Sequence, residues 1–183
     1  METDFRSAKL PAVDLVVLSY AAGEVDGAEA LIERAWNAAG VALVVVEPGT
    51  PRGFATILAA RDRLITAGAH IAAPCPHTNA CPMKDPDWCH FAARVGRSRL
   101  HRQLKGGELS YEDEKFSYVI ASRQPAAAGS VASRIVRHPW TEPGLIRLEL
   151  CGRDGLTTRT VRKRTAEEFR SARKAHWGAE WAE

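Results

Sequence analysis

Residues 73–91 constrain this chain most. Three of its four cysteines, Cys75, Cys81 and Cys89, fall there with the spacing C-x5-C-x7-C. Pro74, Pro76, Pro82 and Pro86 break any helix or central strand through the stretch, because each removes a backbone donor. A segment without a backbone ladder needs another constraint, and thiolates converging on a metal supply one. The fourth cysteine, Cys151, lies far away in sequence and completes a four-thiolate site only if the fold brings it back.

Two kinds of metal fit such a set. Zinc takes four thiolates in a tetrahedron, and His77 or His90 could stand in for one. An iron–sulfur cluster also takes four thiolates, often beside prolines. Spacings of five and seven residues differ from the tight CxxC pairs of zinc ribbons and tilt the choice toward a cluster. Buried cysteines with no ligand are the plainer alternative, less natural in a loop rich in Pro, Asp and Asn. The N-terminus lacks a basic region followed by an apolar core, so the default compartment is reducing, where cysteines favour metal or burial over disulfides.

The rest of the chain reads as α/β. Val13 to Ser19 and Val41 to Val46 are β-branched apolar runs of the buried, parallel kind. Glu24 to Ala39 has helical composition, with Gly40 as its stop. Phe54, Ile57, Leu58, Arg61, Leu64 and Ile65 recur at helical spacing, and His70 to Ala73 enters the cysteine segment as a short strand. Strand, helix, strand, helix, strand predicts a parallel sheet. Phe91 to Lys105 reads as a basic helix and Phe116 to Ala121 as a further strand.

Beyond the small-residue linker Pro125 to Gly129 the rhythm changes. Ser133 to His138, Leu145 to Cys151 and Thr157 to Lys163 read as strands of a small antiparallel unit, with Asp154-Gly155 in a hairpin turn. Thr165-Ala166-Glu167-Glu168 has the capping-box pattern of a last helix. The expected organisation is an α/β domain over 1–124, carrying the cysteine insertion at 73–91, then a β unit with a basic helix over 130–183.

Net charge is only +3, but it is clustered. Arg94, Arg97, Arg99, Arg102 and Lys105 form one group; Arg162, Lys163, Arg164, Arg173 and Lys174 belong to a second. Clustered cations that neutralise phosphates predict RNA binding. The acidic run Glu112-Asp113-Glu114 is expected to balance the first group. No run is long and apolar enough to span a bilayer. No glycine-rich phosphate loop follows a first strand, and no Ser-His-Asp or Cys-His arrangement stands out, so no catalytic residue is assigned.

The motifs Pro74-Cys75-Pro76-His77, Cys81-Pro82, Trp88-Cys89-His90-Phe91, Arg97-Ser98 and Tyr111-Glu112-Asp113-Glu114-Lys115-Phe116-Ser117-Tyr118 together resemble the methyltransferase-like proteins of small-ribosomal-subunit assembly. So do Asp14 to Tyr20 followed by Gly23-Glu24, Glu47-Pro48-Gly49-Thr50, and the tail Ala172 to Gly178. The resemblance covers nearly the whole chain.

It implies a class I S-adenosylmethionine-dependent methyltransferase-like, Rossmann-like sheet, of which this chain is the C-terminal half. It implies that Cys75, Cys81, Cys89 and Cys151 hold a 4Fe–4S cluster. It further implies binding to small-subunit rRNA, in the cytoplasm of bacteria or the mitochondrial matrix of eukaryotic relatives. Val13 to Ser19 resembles the fourth strand of that fold, which leaves half a cofactor site at Ser19, Tyr20 and Gly23. The expected role is rRNA binding in subunit assembly, with the cluster as a structural clasp. The alternatives are an rRNA methyltransferase completed by an N-terminal half, and a structural zinc module. The sheet edge at the first strand is expected to favour self-association.

Overall fold

The computed structural model describes residues 9–106, 109–125 and 132–182. They form two sheets, each of five strands. The first begins with β1 (Val13–Ser19), α1 (Ala28–Ala38) and β2 (Ala39–Pro48), a unit in which β1 and β2 pair in parallel. Two parallel neighbours need a crossover, and α1 supplies it. Helix α2 (Pro51–Thr66) opens on Thr50, whose hydroxyl accepts from Gly53 N at 3.1 Å, with Pro51 in the first turn. It closes at Gly68, which takes the left-handed φ of 80° that a side chain resists. The inner faces of both helices cover the sheet, so Ile32, Trp36, Leu43, Val45, Ile57, Leu64 and Val119 make one core.

The central strand is β5 (Tyr111–Ser122). Along one side it pairs with β2 through residues 116–122. Along the other it pairs first with β4 (Phe91–Gly96), opposite Tyr111 to Phe116, then with β3 (His70–Ala73), opposite Ile120 to Ser122. All three pairings are antiparallel, so among the described residues only the β1–β2 pair is parallel as the sequence predicts. Because β3 and β4 share one side of β5, the cysteine loop between them leaves the sheet at a single edge.

Two helices end differently from their sequence signals. Residues 91–96, expected as the start of a basic helix, extend as β4 because β5 offers them a ladder; only α3 (Arg99–Lys105) is helical. Gly40 lies within β2 rather than after α1. Before α1 stands a separate 3-10 turn, Ala22–Glu24.

The second sheet is antiparallel. Its centre is β8 (Leu145–Gly152), with β9 (Gly155–Arg162) on one side and β6 (Ser133–Ile135) and β7 (Trp140–Glu142) on the other. Strand β10 (Glu180–Trp181) extends it beyond β6. Ile135, Ile146, Leu148, Leu150, Val161 and Trp181 form its core with Ala172 of α4 (Ala166–Ala172). Thr165 precedes α4 but forms no capping box: its hydroxyl donates to Arg162 O at 2.7 Å instead. The linker residues 126–131 lie outside the described residues.

A candidate metal centre of four thiols

The pleat of β8 decides where Cys151 goes. Successive side chains alternate faces, so Ile146, Leu148 and Leu150 enter the second core while Cys151 points the other way. There the cysteine loop buries it: His77 Nε2 lies 3.8 Å from Cys151 Sγ, and Asn79 Nδ2 donates to Arg153 O at 3.3 Å. Cys75, Cys81, Cys89 and Cys151 all line one cavity of about 40 Å³, together with Arg61, Met83, Phe91 and Tyr118. None of the four is in a disulfide.

The four thiols share the lining of this one cavity. Among the described residues no three His, Cys, Asp or Glu side chains stand close enough to hold one metal ion. A single zinc, with Zn–S bonds of about 2.3 Å, would draw its sulfurs to about 3.8 Å of one another.

Burial sets the protonation of these groups. It pushes the Cys75, Cys89 and Cys151 thiols up, Cys151 to about 12, and the neighbouring thiols reinforce the shift at Cys89 and Cys151. Arg61 pulls the other way on Cys75 and Cys151. Burial, then Arg61, lowers His77 and keeps its ring neutral. His77 Nδ1 and Arg61 Nε are both buried without a hydrogen-bond partner. Four thiols, a neutral imidazole and a buried guanidinium around one cavity fit an anionic metal–thiolate group, whose binding would release thiol protons.

Side chains from both sheets fix the loop by its backbone. From α2, Arg61 Nη2 donates to His77 O at 3.0 Å and to Asn79 O at 2.7 Å. From β6, Arg134 Nε donates to Pro74 O at 3.0 Å and its Nη1 to Gly178 O at 3.1 Å. Arg137 pairs with Asp87 and donates to Trp88 O at 3.3 Å. From β5, Ser117 Oγ donates to Cys89 O at 2.8 Å, and Trp88 Nε1 donates to Gly49 O at 3.0 Å. A run of rings adds packing: Trp88 stacks on His90, and Trp177 meets His90 and His138 edge-on.

The three loop-holding arginines are absent from the cysteine pattern. Only Arg61 left a trace in the sequence: a cation at a core position of the α2 repeat, between Ile57 and Leu64.

Ser19, Tyr20 and Gly23 lie together at the C-terminal end of β1. Tyr20 takes a left-handed φ of 52°, held by its N–H on Val46 O at 2.8 Å. The buried carboxylate of Glu47 accepts from Ala22 N at 2.9 Å and Gly23 N at 3.2 Å. A Cβ on Gly23 would sit 2.8 Å from Glu47 Oε2, so a side chain there would push that carboxylate from its place.

The basic residues divide into engaged and available ones. Arg94 is ion-paired with Asp113 at 2.9 Å and lies over the Tyr111 ring; Arg97 pairs with Glu112 at 2.7 Å. Arg99 is exposed on α3 and Arg102 half-buried there, beside Leu100 and Leu104 at 65% and 79% exposure; Lys105 ends the helix. Arg162, Lys163 and Arg164 are exposed at the end of β9, and Arg173 and Lys174 are exposed after α4.

A mixed α/β chain whose second sheet returns a cysteine to a thiol-lined loop of the first is a protein organised around a candidate metal centre. Residues 2–182 match the family model described as mitochondrial small ribosomal subunit Rsm22, and the chain belongs to that family of methyltransferase-like small-subunit assembly proteins. It is 28% identical over 182 residues to the human ribosome assembly protein METTL17, mitochondrial, an alignment covering 90% of this chain and 38% of that protein. It is 25% identical over 180 residues to the Rsm22-cox11 tandem protein 2, mitochondrial, of Schizosaccharomyces pombe, covering 74% of this chain and 24% of that one. The chain therefore spans well under half the length of these relatives.

Proposed function

We propose that this chain is an rRNA-binding, methyltransferase-like element of small-ribosomal-subunit assembly, in which Cys75, Cys81, Cys89 and Cys151 hold a 4Fe–4S cluster as a structural clasp. The observation that carries it is the shared cavity: three thiols from a loop of the first sheet and one from the second meet around about 40 Å³. Four thiolates are the ligand set of such a cluster, and spacings of five and seven residues differ from the tight CxxC pairs of zinc ribbons. When bound, the cluster would join the two sheets through four sulfur ligands, three from the loop and one from β8, and would supply no chemistry on RNA. This chain's residues do the rest: Arg61, Arg134, Arg137 and Ser117 aim the loop, and Met83, Phe91 and Tyr118 seal the site from water.

The small-subunit role rests on the family and on the human relative, which is named for ribosome assembly. The Schizosaccharomyces pombe relative and the human one are named mitochondrial; for a bacterial member the corresponding place is the cytoplasm. RNA contact is assigned to Arg162, Lys163, Arg164, Arg173 and Lys174, with Arg99, Arg102 and Lys105 on α3. Arg94 and Arg97 contribute less, because their charges are already matched by carboxylates. The test is binding to small-subunit rRNA across a salt series. Replacing Arg162, Lys163 and Arg164 with alanine should flatten the slope of log affinity against log salt by about 2–3; an unchanged slope would remove that surface from the interface.

One observation favours a part in methyl transfer within a longer chain. In parallel α/β units ligands bind outside the carboxyl ends of the strands. Tyr20, Gly23 and Glu47 make a rigid turn at that end of β1 and β2, a fitting half of an S-adenosylmethionine site. The β1–α1–β2 unit suits a Rossmann-like sheet. Among the described residues β1 pairs only with β2, and Val13, Leu15 and Val17 are exposed on it. Further strands or a second copy would pair there. Calorimetry with S-adenosylmethionine separates the cases: heat only with a chain extended N-terminally supports the shared site, and none with either leaves binding alone.

A further inference from the structure

The charge balance of the thiol cavity falls on a residue outside the cysteine motif. Arg61 occupies an inward position of α2 and is 3% exposed. A buried guanidinium is costly unless anions or acceptors surround it. Its loop partners, His77 O and Asn79 O, are neutral carbonyls. The carboxylate it meets, Asp62 at 3.0 Å, is 63% exposed, where solvent weakens the pair. Its Nε is buried without a partner. Yet it lines the same cavity as all four cysteines. That sets a buried positive charge, partnered otherwise by two carbonyls and one exposed carboxylate, beside the four cysteines. Four thiolates around an iron–sulfur core leave a net negative charge, and it would then be matched.

We infer that Arg61 is the fixed counter-charge of the four-thiolate site: its guanidinium stabilises the anionic, cluster-bound state and sets how readily that cluster accepts an electron. This rests on the cluster reading above. Arg134 is less suited to the task, since it is turned to Pro74 O and Gly178 O and has Glu180 at 3.6 Å. Net charge and hydrogen bonding around the sulfurs are the levers by which a protein tunes such a cluster. Reduction adds one negative charge, so removing a buried cation disfavours the reduced form more than the oxidised one.

The test compares anaerobically purified wild type, Arg61→Met and Arg61→Lys by iron and sulfide content, visible absorbance and dye-mediated redox titration. Arg61→Met is expected to keep the cluster with its reduced-to-oxidised ratio at fixed ambient potential lowered about tenfold, which is ~59 mV more negative for a one-electron couple. Arg61→Lys, which keeps the charge, is expected to stay near wild type. Loss of the cluster in Arg61→Met with retention in Arg61→Lys also supports the assignment. A cluster retained in Arg61→Met at the wild-type potential overturns it. Loss in both variants overturns it too, because the role would then be the guanidinium's grip on the loop carbonyls. Wild type without iron overturns the cluster reading itself, an outcome distinct from failure of the Arg61 assignment alone.

Discussion

Arg134→Ala asks whether the second sheet is anchored to the cysteine loop by side chains as well as by metal. The guanidinium is nearly buried and donates to Pro74 O and Gly178 O at 3.0 and 3.1 Å. Hydrogen bonds from a charged donor are worth about 1.5–3 kcal/mol each, so the two total about 3–6 kcal/mol. The ion pair with the exposed Glu180 adds under ~1 kcal/mol. Relief from burying the cation offsets part of this, which leaves a net loss of about 3 kcal/mol. For a chain of this size that corresponds to a Tm lower by about 6–12 °C. Thermal and urea unfolding of the anaerobically purified protein would measure it. Arg94→Ala, which removes an ion pair exposed on both sides, is the control and should cost less than ~1 kcal/mol. If Arg134→Ala falls no further than Arg94→Ala, the two hydrogen bonds do not hold the loop and this reasoning is wrong.

Other expectations follow from the same geometry. Gly53→Ala would place a Cβ 2.0 Å from Pro48 O; the start of α2 must shift, at a cost of about 1–3 kcal/mol, readable in urea midpoints. Glu47→Ala strips two backbone N–H groups of their acceptor, should cost about 2–4 kcal/mol, and should broaden the amide resonances of residues 20–24. In metal-free protein the raised thiol pKa values reverse the usual alkaline tolerance: their contribution is intact below pH 9 and is lost as pH climbs toward 12. A melting temperature flat across that window would contradict the buried-thiol assignment. Cys151→Ser should lower bound iron and weaken the coupling between the sheets, while leaving the first core able to fold; intact iron in that variant would exclude Cys151 as a ligand.

Several elements were legible because the local signal and the fold agree. The β-branched runs at Val13 to Ser19 and Val41 to Val46 became a parallel pair. The helical spacing of Phe54, Ile57, Leu58, Arg61, Leu64 and Ile65 became α2. The strand at Phe91 to Gly96 was not legible: Arg94 and Arg97 read as a helix face, and only the ladder offered by β5 extends them. That ladder also sets Asp113 opposite Arg94 and brings Glu112 to Arg97, converting two apparent phosphate contacts into ion pairs. The thiol loop announced itself through its prolines, but the route of Cys151 into it depends on which face of β8 meets the loop, a tertiary choice. Arg134 and Arg137 carry no periodic signal at all. Arg61 did carry one, as a charge in an apolar stripe, and its meaning became clear only when the cavity beside it was known.

The claim on which the rest depends is that four cysteines from two sheets hold one cluster. Iron and acid-labile sulfide analysis of the anaerobically purified chain, with its absorbance near 400 nm, tests this directly. The expected result is about four iron and four sulfide per chain, lost when any one of the four cysteines is replaced by serine. One zinc per chain without iron, or iron that survives those replacements, would contradict it.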